Sequence, residues 1–240
     1  MDEGTPADDA PAVLATGRGD VRLAVVSMSA AEPDGRDDDY VRWHLLDHLP
    51  EQFRLPGFRW GRRWRSTGRG RAHRLAEVPP YDRVDHVVGY LFAEPLDEAI
   101  DGFFALGRAL HEAGRMPIRL PSVQLAAWKP VERRAASRIK AGADVVPFRP
   151  DRGVVLLIEQ GDPGATLDSL VATDGVAGAW RFRGTDGRHA GFAPTADLAL
   201  TIIYVDDDPV EVVQRLGAAV DRESERLLLA APFDPATVGW

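Results

Sequence analysis

The chain has 240 residues, 45% of them hydrophobic, and a formal net charge of -8. It can therefore bury a sizeable core, as one large domain or two small ones, but lacks the basic field that non-specific nucleic-acid binding needs. It contains no cysteine, which excludes disulfides, thiolate metal ligands and a cysteine nucleophile and fits a cytoplasmic setting.

Residues 1–19, opening MDEGTPADDA, lack the basic and apolar regions of a secretory leader and read as a loose acidic tail. No apolar run approaches the roughly 20 residues of a membrane helix. The run Arg22 to Met28 predicts a first strand and Asp39 a helix cap. From Tyr40 to about Phe53 a helical wheel gathers Val41, Leu45, Leu46, Leu49 and Phe53 on a packing side and Trp43, His44, Asp47, His48 and Glu51 on the other. Leu55, Pro56 and Gly57 stop the helix, because proline disfavours helical geometry in the residue before it and glycine tolerates a positive φ. A strand over 57–66 follows, with Phe58, Trp60, Arg62 and Trp64 on one face and Arg59, Gly61, Arg63 and Arg65 on the other. Residues 67–82 read as a long connection, whose GRGR run lacks the spacing of a phosphate-binding loop. A third strand over 84–92 sets His86, Val88, Tyr90 and Phe92 against Asp85, Val87, Gly89 and Leu91. Pro95 opens a helix running to about Ala113, and Gln124 to Lys129 predicts a fourth strand.

The same order returns after a connector over 131–151. Strands are predicted over 153–160, 176–183, 198–205 and 226–231, and helices over 163–172 and 209–222. Local likeness supports a repeat: LPGFRWGRRWRS lies against TDGVAGAWRFRG, pairing Gly57 with Gly175 and Arg63 with Arg181, and Pro95 pairs with Pro209. The fold class read from this is α+β, two ferredoxin-like repeats over 20–130 and 152–240 forming an internal pseudo-dimeric barrel. Two half-covered sheets bury together what neither buries alone, which predicts a cavity between or inside them.

The stretch WHLLDHLPEQFRLPGFRWGRRW resembles the motif of the EthD-like branch of the dimeric α+β barrel proteins, through Tyr40, Trp43, His44, His48, Pro50, Pro56, Gly57, Phe58 and Arg63. Where that family carries acidic residues just before the second histidine, this chain has Leu45 and Leu46 with a single acid, Asp47. The wider superfamily includes muconolactone isomerases, cofactor-free monooxygenases, polyketide cyclases and haem enzymes, so the resemblance implies the fold more narrowly than the reaction. It favours Arg63 over Arg62 as the inward guanidinium, with Arg181 as its repeat partner.

His48 and His44, four residues apart on one helix, are the candidate general acid and base, since imidazole exchanges protons near neutral pH. Arg63 is the candidate anchor for a carboxylate or enolate. Trp43, Trp64, His86, Tyr90 and Arg181 are candidate substrate contacts. A metal site at His44, Asp47 and His48 lacks a fourth ligand, and haem ligation by His86 or His111 lacks any supporting motif, so neither metal nor cofactor is expected. The chemistry read from these residues is cofactor-independent proton transfer (isomerisation, cyclisation or dehydration) on a small aromatic, polyketide-like or lactone metabolite. A non-catalytic binding or structural protein and a cofactor-free monooxygenase are the alternatives, and the protein is a monomeric pseudo-dimer or a homodimer. An apolar interior reached by His48 or His86 favours catalysis; an interior filled by Trp60, Trp64 and Trp180 favours the structural reading.

Overall fold

In the computed structural model residues 21–187 and 189–238 are described; the predicted acidic tail lies outside them. The first half contributes β1 (Leu23–Ser29), β2 (Phe58–Arg65), the two-residue β3 (Ala76–Glu77), β4 (His86–Phe92) and β5 (Ser122–Ala135). The second contributes β6 (Gly153–Gln160), β7 (Val176–Gly184), β8 (Leu198–Val205) and β9 (Leu227–Pro235). Every strand pairing is antiparallel, in the order β2-β4-β1-β5-β7-β8-β6-β9, and β9 returns to β2 through Trp64 opposite Pro235 and Arg65 opposite Asp234. The result is an eight-stranded antiparallel barrel, with β3 added along β9. Among their long strands, both halves run second, third, first, fourth.

Strand alternation divides the apolar residues into layers. Val26, Met28, Trp64, Val87, Leu91, Trp128, Leu156, Trp180, Phe182, Tyr204 and Phe233 belong to one cluster drawn from all eight strands, which fills the barrel interior, with Trp60 packed against it. Of the two places where a cavity was predicted, the inside of the barrel is occupied by side chains, three fully buried tryptophans among them. The opposite faces are covered by helices. In the second half, α5 (Leu167–Val171) and α6 (Pro209–Leu216) close over Val155, Leu157, Ile203 and Val205. In the first half the cover is a continuous helix of three parts, α1 (Asp37–Trp43), a π-helical turn (His44–His48) and α2 (Leu49–Gln52), joined by α4 (Leu96–Glu112); α3 (Gly68–Ala72) lies in the connection. The two covers differ in tightness. Five of the eight residues of α6 are buried, against three of the seventeen in α4.

Several local readings are corrected. Helix α1 starts before the predicted cap, with Asp37, Asp38 and Asp39 all in its first turn, where their charge suits the positive end of the helix dipole. The connection over 67–82 contains α3, β3 and a 3-10 turn (Tyr81–Arg83). β5 runs past Lys129 to Ala135: residues 122–128 pair with β1 and 128–135 with β7, so part of the predicted connector is the seam between the halves. A register slip between Phe58 and Trp60 turns Phe58 to the helix side of β2. Gly57 (φ +76°) and Gly175 (φ +86°) occupy the same turn in each half, and each is crowded: an added Cβ would lie 2.7 Å from the Ala93 carbonyl oxygen at the first and 2.7 Å from Val212 at the second.

Candidate active site

The first helix buries its histidines. Val41, Trp43, His44, His48, Leu49 and Gln52 face the sheet and Leu45 packs beside them, while Asp47 is exposed and Phe53 is half exposed, so the predicted packing side holds in part and the buried face is turned to take in Trp43 and both histidines. The wheel summed apolar residues, whereas the buried direction is set by polar partners that wait on β2 and β4. The π turn also spoils a constant 100° spacing, because Leu49 N–H reaches back to the His44 carbonyl in place of the usual α-helical partner. Gly61 lets the helix come close to β2: a Cβ there would stand 2.6 Å from Leu49 Cδ1 and 3.0 Å from the Phe58 ring.

Alternation on β4 holds as predicted, with His86, Val88, Tyr90 and Phe92 on the helix side. Tyr90 Oη lies 2.9 Å from His44 Nε2, and Gln52 Nε2 lies 3.0 Å from His48 Nε2. The Trp43 and His48 rings stack at 5.0 Å with an 8° tilt, and the two histidine rings meet edge to face at 5.7 Å. His86 Nε2 meets Asp37 Oδ1 at 2.8 Å at the start of the helix. Arg63 projects from β2 into the same layer, only 3% exposed, with its guanidinium 4.9 Å from the centre of the Tyr40 ring.

Burial keeps the imidazoles neutral. His44 is held well below its ordinary range by burial, then by the Arg63 charge and His48. His48 is pushed down to about 4, mainly by burial, with Glu51 opposing and Arg63 and Arg115 adding. Burial also lowers His86 and raises Tyr90, so the phenol keeps its proton. An amide nitrogen can only donate, so Gln52 Nε2 fixes His48 Nε2 as an acceptor and places the single ring proton on Nδ1. Tyr90 both donates and accepts, so His44 can present Nδ1 bare or protonated. Six buried polar atoms of this cluster have no hydrogen-bond partner: Nδ1 of His44, His48 and His86, Nε and Nη1 of Arg63, and Oε1 of Gln52. Buried polar groups are normally paired, with protein or with water, so a concentration of six here sets this layer apart among the described residues.

The structure thus brings together His44, His48, Arg63, Trp43, His86 and Tyr90. It leaves out two predicted contacts. Trp64 lies inside the barrel, its indole N–H donating to Asp151, and Arg62 on that same face pairs with Asp151 at 2.8 Å. Arg181 lies under the second half's helices, bonded to the Ala165 carbonyl, Thr201 and Glu132. Gln52, absent from the predicted set, is fully buried; its spacing of four from His48 was the available signal. Among the described residues no group of three or more His, Cys, Asp or Glu side chains is arranged to hold a metal, and Asp47 points away from both histidines' buried face.

A cleft of about 1050 Å³ opens on the same side of the sheet, between α4 and the second half's 185–197 segment. Ile100, Ala127 and Phe192 line it and also belong to the apolar layer that holds Phe58, Tyr90 and Phe92. Edge-to-face contacts run from Phe58 to Phe92 (5.3 Å) and from Tyr90 to Phe103 (5.1 Å), an aromatic lining between cleft and polar cluster.

No protein-family model matches the sequence, and no curated protein matches it. Solved structures share its architecture. A dye-decolorizing peroxidase from Bacteroides thetaiotaomicron aligns with a TM-score of 0.54 at 10% identity, covering 90% of this chain and 93% of its own. A protein assigned as a chlorite dismutase gives 0.52 at 10% identity over 91% and 96%, and an anthrone oxidase-like protein 0.51 at 13% over 92% and 93%. These likenesses establish an α+β barrel fold along nearly the whole chain, a fold on which these neighbours are enzymes by name. At such identities they establish no reaction. Among the described residues no helix is long and apolar enough to cross a membrane.

Proposed function

We propose that the protein is a cofactor-independent acid–base enzyme whose site lies between the first helix and the sheet of the first half. On this reading the chain is a tandem pair of ferredoxin-like repeats, over 20–130 and 152–240, of the EthD-like kind, in which the first repeat carries the chemistry and the second supplies the other half of the barrel. The carrying observation is the buried His44–Tyr90 pair beside a buried guanidinium whose Nε and Nη1 have no hydrogen-bond partner. Both imidazoles are neutral, so neither competes with Arg63 for an anion, and His44 can take or give a proton at Nδ1 as the Tyr90 hydroxyl turns. His48, locked by Gln52, offers an N–H to an oxygen on which charge develops, and Arg63 stabilises that charge in a dry setting. The sequence reading put His48 first as the proton carrier; the Gln52 contact transfers that part to His44. The substrate is a small enolisable or phenolic compound, aromatic, polyketide-like or a lactone, entering from the cleft beside α4.

Exchange of substrate C–H for deuterium in heavy water, followed by NMR over a panel of aromatic ketones, lactones and phenols, reads proton abstraction whatever the net reaction. The expected outcome is catalysed exchange for at least one compound, reduced by about two to four powers of ten in His44→Asn. Undiminished exchange in His44→Asn, with a lower melting temperature, would make His44 a packing residue and defeat the assignment.

A further inference from the structure

We infer that the cluster takes a ligand bearing an ionised oxygen, a carboxylate or an acidic enol or phenol on an aromatic frame, and that Arg63 is its seat. The inference names the substrate class of the proposed acid–base site and rests on that reading only for the claim that the bound anion goes on to react. Three observations carry it.

The first is the state of Arg63. A guanidinium remains a cation inside proteins, and burying one without a carboxylate is among the costlier arrangements a fold can contain. Among the described residues Arg63 forms no ion pair: Asp37 attracts it only from beyond contact, its guanidinium lies against the ring and hydroxyl of Tyr40, and its Nε and Nη1 are enclosed without acceptors.

The second is the comparison the molecule offers with itself. Arg181, aligned with Arg63 in the second half, has Glu132, Thr201 and a backbone carbonyl around its guanidinium, and the surrounding layer is filled by Val155, Leu157, Ile203 and Val212. The same strand position is internally satisfied in one half and left open in the other. A purely structural arginine would need the first arrangement, so the second points to an acceptor supplied from outside.

The third is the sign of the remaining groups. Gln52 Nε2 commits His48 Nδ1 to carry a proton, while His44 Nδ1 is protonated when the Tyr90 hydroxyl donates to Nε2 and bare when it accepts. The unpaired atoms are then three donors, Arg63 Nε and Nη1 and His48 Nδ1–H, with His44 Nδ1 able to be a fourth, against two acceptors, Gln52 Oε1 and, because His86 Nε2 donates to Asp37, His86 Nδ1 at the margin. Such a set suits an anionic oxygen and disfavours a cation. Phe58, Tyr90, Phe92 and Phe103 border it with ring faces and edges, which suits a flat aromatic body.

The test pairs benzoate with benzamide, alike in shape and differing in charge, titrated by NMR and calorimetry into wild type, Arg63→Met and Arg63→Lys, with melting temperatures measured without ligand. Benzoate should bind saturably, benzamide at least tenfold more weakly. Arg63→Met should reduce benzoate affinity by about 30-fold or more, the usual effect of removing one member of a buried charge pair, and Arg63→Lys, which keeps the charge but not the fork, should fall between. Without ligand, Arg63→Met should melt about 2 to 6 °C above wild type, because an uncompensated buried cation is exchanged for an apolar side chain of similar length. Absence of saturable benzoate binding, equal affinity for the amide, or benzoate affinity unchanged in Arg63→Met overturns the inference. A lower unliganded melting temperature in Arg63→Met also counts against it, since it would make the guanidinium a structural group. Benzoate binding together with no deuterium exchange across the substrate panel leaves the anion seat standing and fails the acid–base reading.

Discussion

Neutral, buried imidazoles tie the stability of the first half to pH. The unfolded chain takes a proton on His48 near its ordinary value of 6.5, and the folded chain only near 4. The folded pKa is depressed, so the unfolded state holds more protons between those values; stability is full above 6.5 and declines as pH falls towards 4. At about 1.36 kcal/mol per unit the decline assignable to His48 approaches about 3 kcal/mol, and His44 and His86, also depressed, act in the same direction while Asp37 and Glu51 oppose. Urea denaturation at a series of pH values should show this loss in wild type and a shallower slope in His48→Gln; equal slopes would mean that His48 is not held neutral. At this scale much of the site was legible. His44, His48, Arg63, His86 and Tyr90 stand out by type and strand alternation, and Trp43 by its place on the helix. Trp64 was misplaced, although its adjacency to Arg63 on a strand already puts the two on opposite faces. Gln52 was missed because an amide becomes distinctive only once the imidazole it orients is known to be buried.

Elements were read best where local geometry leaves little choice. Gly57 and Gly175 were aligned from sequence, and both hold positive-φ turns against a helix further along the chain, Gly57 against Ala99 of α4, which follows β4, and Gly175 against Val212 of α6, which follows β8. Gly57→Ala should cost about 2 to 4 kcal/mol, because the methyl adds left-handed strain to a clash with the backbone oxygens of Ala93 and Pro95. Gly175→Ala meets side chains that can shift and should cost less; chemical denaturation of the two variants checks the order, and a nearly neutral Gly57→Ala would show that the turn is not so constrained. The first helix was the element read worst. Its aliphatic residues named a face of which Val41 and Leu49 are buried, but the helix is turned to bury the histidines as well, since Tyr90 on β4 and Arg63 on β2 supply a polar surface that no hydrophobicity sum along one helix contains. The length of β5 was also invisible locally, because residues 130–135 become strand only by pairing with β7.

At the scale of the molecule, the order of elements was enough to predict an α+β barrel, and the eight-stranded antiparallel barrel is one. What the order of elements could not say was which side of the sheet is open. A barrel of eight strands fills its interior with side chains when the inward positions are large, and here Trp64, Trp128, Trp180, Phe182, Tyr204 and Phe233 all point inward. The tryptophan-filled interior answers the sequence-based question for the barrel itself, in favour of structure, and moves the candidate chemistry to the looser layer beneath α4 and the first helix. The indole N–H groups supply reporters for both places: Trp43 stacks on His48 in the helix layer, while Trp64, Trp128 and Trp180 sit in the barrel. The most direct measurement is a two-dimensional nitrogen–proton spectrum of these indoles, assigned by single Trp→Phe variants and followed during titration with benzoate. The account predicts a saturable shift of the Trp43 signal with the three barrel signals unmoved. Shifts at Trp128 and Trp180 with Trp43 stationary, or no shift at Trp43 at any concentration, would contradict it.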